Sequence, residues 1–185
     1  FDLYRCKKIR RRQCFLFLAI VYNVHSIKKL TVMDTLNSAL VAYIHYLSFM
    51  LCFGALVFER ISLKTAPNRE EAISMVAADI VYGIAGLALL ISGIYRVIKF
   101  GQGSDFYTHN PIFWTKIVVF ALVGSLSLYP TITYILWAIP LSKGKLPDVT
   151  ANLVARLRLI INIELFGFSL IPFFASLMAR GIGTN

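Results

Sequence analysis

Charge is scarce in this chain, and negative charge scarcer still: only 15% of the 185 residues are charged, with nine Asp and Glu against nineteen Lys and Arg. The hydrophobic residues, 58% of the total, lie in long blocks rather than in the broken periodic stretches of a soluble core, so the chain is read as a membrane protein. Cysteine is also sparse. Cys6, Cys14 and Cys52 form no CxxC or Cys/His pattern, which excludes a zinc site or disulfide framework as an organising feature, and Cys52 sits in an apolar block as a small hydrophobe. Repeats of fixed period and low-complexity tracts are lacking. So are a nucleophile-and-base arrangement, a phosphate-cradling loop and a dinucleotide-binding fingerprint: the glycines near residue 101 follow a membrane helix, not a strand.

What is present is hydrocarbon-spanning length. Crossing ~30 Å of bilayer core as a helix takes roughly 20 apolar residues, and four blocks qualify, at about 36–58, 73–98, 112–141 and 157–179. A transmembrane barrel would show segments of about ten residues with alternating polarity, which these are not. Short polar connections favour antiparallel neighbours. The expected fold class is all-α, an integral membrane up-down bundle of four transmembrane helices occupying one domain, residues 33–185.

Residues 1–32 differ in character. They hold eight of the nineteen Lys and Arg and a single acid, Asp2, and so supply most of the net charge of +10. Their apolar stretch, Cys14 to Tyr22, is too short to span and follows a basic run, as in a signal peptide, but no small-x-small cleavage site follows. A basic surface anchor on anionic lipid is a second reading, at ~1 kcal/mol per Lys or Arg. A third is a leader outside the native chain, which would then start at Met33 in "MDTLNSAL". Nucleic acid is not an expected partner, because a basic tail beside a membrane block already has membrane lipid as its partner. Counted from Met33, the first and third connections with their flanks carry Arg60, Lys64, Arg69, Lys143, Lys145, Arg156 and Arg158, against Arg96, Lys99 and Arg180 opposite. The positive-inside rule puts those two connections in the cytoplasm; counting the leader reverses the assignment.

Polar residues inside the spans identify the candidate site. Three- and four-residue steps through the first helix give Ser38, Ala42, His45, Ser48, Cys52, Ala55 and Glu59, a small and polar stripe expected to face the bundle interior. The second helix repeats the pattern with Asp79, Gly83, Gly86, Leu90, Gly93 and Arg96. The third carries Lys116 after Pro111, with a kink expected at Pro130, and the fourth carries Glu164 with Arg156 and Arg158 near its start. Antiparallel alternation places His45, Arg96 and Lys116 in one half of the membrane and Glu59, Asp79 and Glu164 in the other. Ionisable groups in hydrocarbon are functional candidates by default. Bland readings stand beside the functional ones: Arg96, Lys116 and Glu59 can snorkel to headgroups, and Asp79 and Glu164 can pair with Arg156, Arg158 or Arg60. His45 is a satisfied interior histidine, a haem or metal ligand, or a proton carrier. Because it alone among the three histidines lies inside a span, a bis-histidine haem within the bundle is excluded, leaving a single ligand or a mixed pair; His109 becomes a second ligand only if its loop folds back over the bundle.

The strings "YRVIKFGQGSDFYTHNPIFWTKIVVF", "SLYPT" and "LIPFFASLMARGIG" resemble a family of predicted four-helix membrane proteins of bacteria and cyanobacteria, catalogued as domain of unknown function twenty-two-fourteen. The resemblance runs from about Met33 to Gly183. It implies the four-helix architecture and a bacterial inner, cyanobacterial plasma or thylakoid membrane, with no activity attached. More distantly, His45 and "FWTK" with Lys116 resemble the layout of HemJ-type protoporphyrinogen oxidases and CopD-like copper-resistance membrane proteins, although the HemJ-type pattern has a second histidine where this chain has Thr115.

The sequence therefore supports three functional readings. The first is a non-enzymatic membrane protein binding haem b or another cofactor through His45, with Arg96 and Lys116 holding its carboxylates. The second is a membrane oxidoreductase acting on a porphyrin or quinone. The third is transport of protons or metal ions along His45, Asp79 and Glu164; four helices are few for a lone transporter, so this reading implies a homodimer.

Overall fold

The structure, a computed structural model, describes the backbone of residues 11–100 and 104–183 and the side chains of residues 32–100 and 106–183. Its elements are α1 (Arg11–Ser62), α2 (Arg69–Tyr95), a π-helical turn (Arg96–Phe100), α3 (Ser104–Thr108), α4 (Pro111–Ser142) and α5 (Ala151–Ala179), with no strand among the described residues. Four stretches are long and apolar enough to cross a membrane: Val32–Ser62, Arg69–Phe100, Pro111–Ser142 and Ala151–Ala179. The fold is thus the all-α four-helix membrane bundle expected from the sequence. Two compact units divide the chain, residues 1–41 and 42–185. The first is helical from Arg11 onward, and the second is the bundle.

Side-chain contacts fix the bundle's direction. His45 meets Leu89 and Ser92, whereas Cys52, two turns later on α1, meets the Tyr82 carbonyl, so α1 and α2 run antiparallel. On α2 and α4, Asp79 is bonded to Thr131, and on α4 and α5 Val123 abuts Gly167 while Asn110 reaches Ile182. Phe49 packs on Phe168, and Arg60 donates to Asn162, which closes the bundle between α1 and α5.

Local chemistry sets where the helices begin and turn. Asn68 caps α2 by accepting from the Glu71 amide at 2.9 Å, while Glu71 reaches back to the Asn68 amide at 2.8 Å, a reciprocal capping box. Asn110 and Thr150 cap α4 and α5 one way only, their side chains accepting from the Ile112 and Leu153 amides, and Pro111 opens α4 where a missing N–H costs nothing. Gly144, at φ 73°, turns the chain out of α4. The helix continues through Pro130, which is buried.

The bundle core is a thin apolar seam, because the outer surface of each helix meets lipid. Cys52, Leu56, Met75, Leu89, Val123, Tyr134, Leu157, Ile161 and Phe168 fill it. On α2 the buried face is Asp79, Tyr82, Ala85, Leu89 and Ser92, not the expected stripe through Gly83, Gly86 and Leu90. Tyr82 and Leu89 supply the volume that fills the seam, and a Cβ on Gly83 or Gly86 would meet nothing within 4 Å. Of the predicted α2 stripe, Asp79, Gly93 and Arg96 keep contacts with the neighbouring helices.

Candidate functional site

His45 lies half-buried on α1, and its ring faces α2. Its Nδ1 is 3.0 Å from the Ser92 hydroxyl and 3.2 Å from the Leu89 carbonyl. The Ser92 hydroxyl proton is already committed to the Ala88 carbonyl at 2.6 Å, and a carbonyl can only accept. A proton on Nδ1 satisfies both contacts at once. That choice fixes the tautomer and leaves the Nε2 lone pair without a hydrogen bond among the described residues. Gly93 allows the approach: a Cβ there would sit 3.1 Å from His45 Cε1, inside ordinary contact distance.

His45 forms part of the wall of a cavity of about 790 Å³ at the end of the bundle where α2 finishes, α4 begins and α5 finishes. The lining is mainly apolar and aromatic, including Phe49, Phe100, Phe106, Phe113 and Phe120, and it includes both cations predicted at this depth, Arg96 and Lys116. Arg96 lies over the Tyr46 ring, 5.1 Å from its centroid, and donates to the Tyr46 hydroxyl at 3.4 Å. Lys116 Nζ stands 5.4 Å from the centre of the Phe113 ring. The aromatic faces hold the two cations in place without neutralising them. Neither has a carboxylate partner among the described residues, where the one ion pair is Lys64–Glu71 in the first connection. Arg96 opens the π-helical turn, a departure from α geometry that widens the helix at the cavity wall.

Two features here are not evident from sequence spacing. Met178, on α5, adds a thioether to the cavity wall, although nothing in its local sequence distinguishes it from core methionine. Ser92 was equally unmarked, yet it orients the histidine. His109 is exposed next to Thr108 and does not line the cavity, so among the described residues no second histidine reaches His45.

The carboxyl groups collect elsewhere. Glu59, Asp79 and Glu164 lie within electrostatic reach of one another, and Tyr134 on α4 lies within reach of all three, with Glu59 its neighbour. Glu59 is 1% exposed and Glu164 fully buried, so neither snorkels. Of the arginines that could pair with Asp79 and Glu164, Arg60 donates to Asn162 at 2.7 Å, Arg158 donates to the Leu63 carbonyl at 2.7 Å, and Arg156 is exposed. Asp79 accepts from Thr131 at 2.8 Å. No group of three His, Cys, Asp or Glu among the described residues has the geometry to hold a metal ion. Along α1, fourteen residues separate His45 from Glu59, about 21 Å at the helical rise. The cationic and the acidic sites are thus separate places in one bundle.

Comparison with known proteins adds the lineage. A family described as "Predicted membrane protein (DUF2214)" matches residues 37–183. The chain belongs to that family. No curated protein and no solved structure matches it. The DUF2214 match contains His45, Arg96 and Lys116 as well as Glu59, Asp79, Tyr134 and Glu164, so both polar sites lie within the family's own span. The residues before it, including the basic leader, lie outside it.

Proposed function

We propose that this membrane protein binds an anionic, largely apolar cofactor between its helices, b-type haem being the group that best suits the cavity. One observation carries the reading: a histidine whose Nδ1–H is tied to a backbone carbonyl and a hydroxyl, leaving Nε2 open, shares an aromatic-walled cavity of about 790 Å³ with two cations that have no anionic partner among the described residues. Histidines that ligate metals typically donate their other N–H to a carbonyl or carboxylate, which fixes ring orientation and raises ligand basicity. His45 would hold the iron through Nε2, Arg96 and Lys116 would hold the propionates, and the Met178 thioether would be a further soft donor in the same wall. The cavity falls within the roughly 300–1,000 Å³ usual for small-molecule sites. A haem held here would supply one-electron transfer; the protein's part is to bind it, orient it and keep water away.

The same cavity accommodates a membrane oxidoreductase acting on a porphyrin or a quinone, and the paired cations favour the porphyrin, which carries carboxylates, over a neutral quinone. Counted from Met33, charge would put the connections at residues 63–68 and 143–150 on the cytoplasmic side of a bacterial inner or a cyanobacterial plasma or thylakoid membrane; counting residues 1–32 reverses that assignment. Haem titration of the purified protein tests the proposal. A saturable Soret band at one haem per chain, lost in His45→Ala, is expected. A wild-type protein showing only the spectrum of free haem would refute it.

A further inference from the structure

The acidic site does not line the cofactor cavity, and it combines features that a packing contact does not need. Glu164 is fully buried with neither carboxyl oxygen hydrogen-bonded, and Glu59 is buried with Oε1 unpartnered. A third buried group points the same way: the Tyr134 hydroxyl is fully buried with no partner at hydrogen-bond distance and angle, and Glu59 is the carboxyl it faces. Four polar atoms from three helices are therefore gathered in the membrane interior with their bonding capacity unused. Groups facing this site from each neighbouring helix are Glu59 on α1, Asp79 and Tyr82 on α2, Tyr134 on α4 and Glu164 on α5. None is a cation, and the nearby Arg60 and Arg158 are bonded to Asn162 and to the Leu63 carbonyl. Three unpaired negative charges could not persist together in a low-dielectric interior; the least costly neutralising partner is a proton on a carboxyl.

We propose that Glu59, Asp79, Tyr134 and Glu164 form a proton-binding site that exchanges protons with the aqueous phase at the end of the bundle nearest the 63–68 connection. Position along the helices gives the order. Glu59 is three residues from the end of α1, about 4.5 Å, while Glu164 is thirteen residues into α5, about 20 Å. A proton enters at Glu59, converting its carboxylate to the acid. The Tyr134 hydroxyl, beside it, accepts a hydrogen bond from that acid while donating its own proton toward the carboxylates behind. Glu164 is the deepest acceptor. Asp79, held by the Thr131 hydroxyl, stays in place as the shared neighbour.

Two measurements on the full chain test this. In the first, the protein in detergent is treated at neutral pH with dicyclohexylcarbodiimide, which enters apolar interiors and reacts with a protonated carboxyl to leave a stable N-acylurea. Mass spectrometry should place the adduct on Glu59 or Glu164, with labelling that falls as pH is raised. Absence of labelling at both positions would overturn the proposal. Protection by Na⁺ at constant ionic strength would also overturn it, by assigning the site to a metal cation. In the second, infrared difference spectra across a pH jump should show a carboxylic C=O band that shifts in D₂O and loses a component in Glu164→Gln, with proton uptake reduced by about one per chain. An unchanged band and unchanged uptake in that variant would count against the site even if the fold is intact. Neither readout depends on haem, so the two proposals fail separately.

Discussion

Where α4 and α5 cross, Gly167 lies so close to Val123 that a Cβ added to the glycine would overlap the valine Cγ2. Within lipid, helices gain little from apolar transfer and associate through close packing, so this contact should matter to stability. Gly167→Ala gains about 1 kcal/mol of helix propensity. Against it stands the overpacking of a filled core, toward the upper end of the usual range at roughly 2–3 kcal/mol, because Val123 is 4% exposed and has little room to move. A net loss of roughly 1–2 kcal/mol is expected. Val123→Ala alone should cost about 1–2 kcal/mol through the void it leaves. Combined, the alanine at 167 occupies that void and keeps its propensity gain, so the double variant should return to within about 1 kcal/mol of the wild type. The coupling would then be ~1–3 kcal/mol, in the range found for residues in direct contact. Unfolding followed by circular dichroism in mixed micelles across an SDS series measures all four corners of the cycle. Additive effects, or a Gly167→Ala variant as stable as the wild type, would refute the close-packing account of this crossing.

Three further outcomes follow from the site and its supports. Ser92→Ala leaves the Leu89 carbonyl as the sole partner of His45 Nδ1–H, and haem affinity measured by optical titration should fall about 10–100-fold with the Soret band retained. Arg96→Gln with Lys116→Gln should weaken haem binding yet leave the affinity for a haem analogue with esterified propionates unchanged; equal loss for both ligands would dissociate the cations from the carboxylates. Asn68→Ala removes the capping box at the start of α2 and should lower stability by about 1 kcal/mol without altering haem affinity, as read by unfolding and titration on the same preparation.

Helix number and class are legible in the sequence because crossing hydrocarbon demands a long apolar run, and little else meets that demand. Depth is legible too: alternating direction alone assigns His45, Arg96 and Lys116 to one half, and all three line one cavity. The rotation of α2 is not. Small residues at helical spacing suggest an inward glycine stripe, but Tyr82, Ala85 and Leu89 are buried instead, since filling a seam among four helices requires volume that glycine cannot supply. Nor could spacing anticipate Ser92 as the histidine's partner, or the engagement of Arg60 and Arg158 with neutral acceptors. Those depend on which side chains face across an interface, and a single helix's periodicity is silent about its neighbour's rotation.

The open Nε2 of His45 beside a haem-sized cavity is the central claim, and replacing the imidazole by a diffusible one tests it most directly. The His45→Gly variant should bind haem weakly and without the wild-type spectrum, and free imidazole should restore that spectrum by filling the vacated position. A wild-type spectrum in the variant without imidazole would show that the iron is held elsewhere and contradict the account.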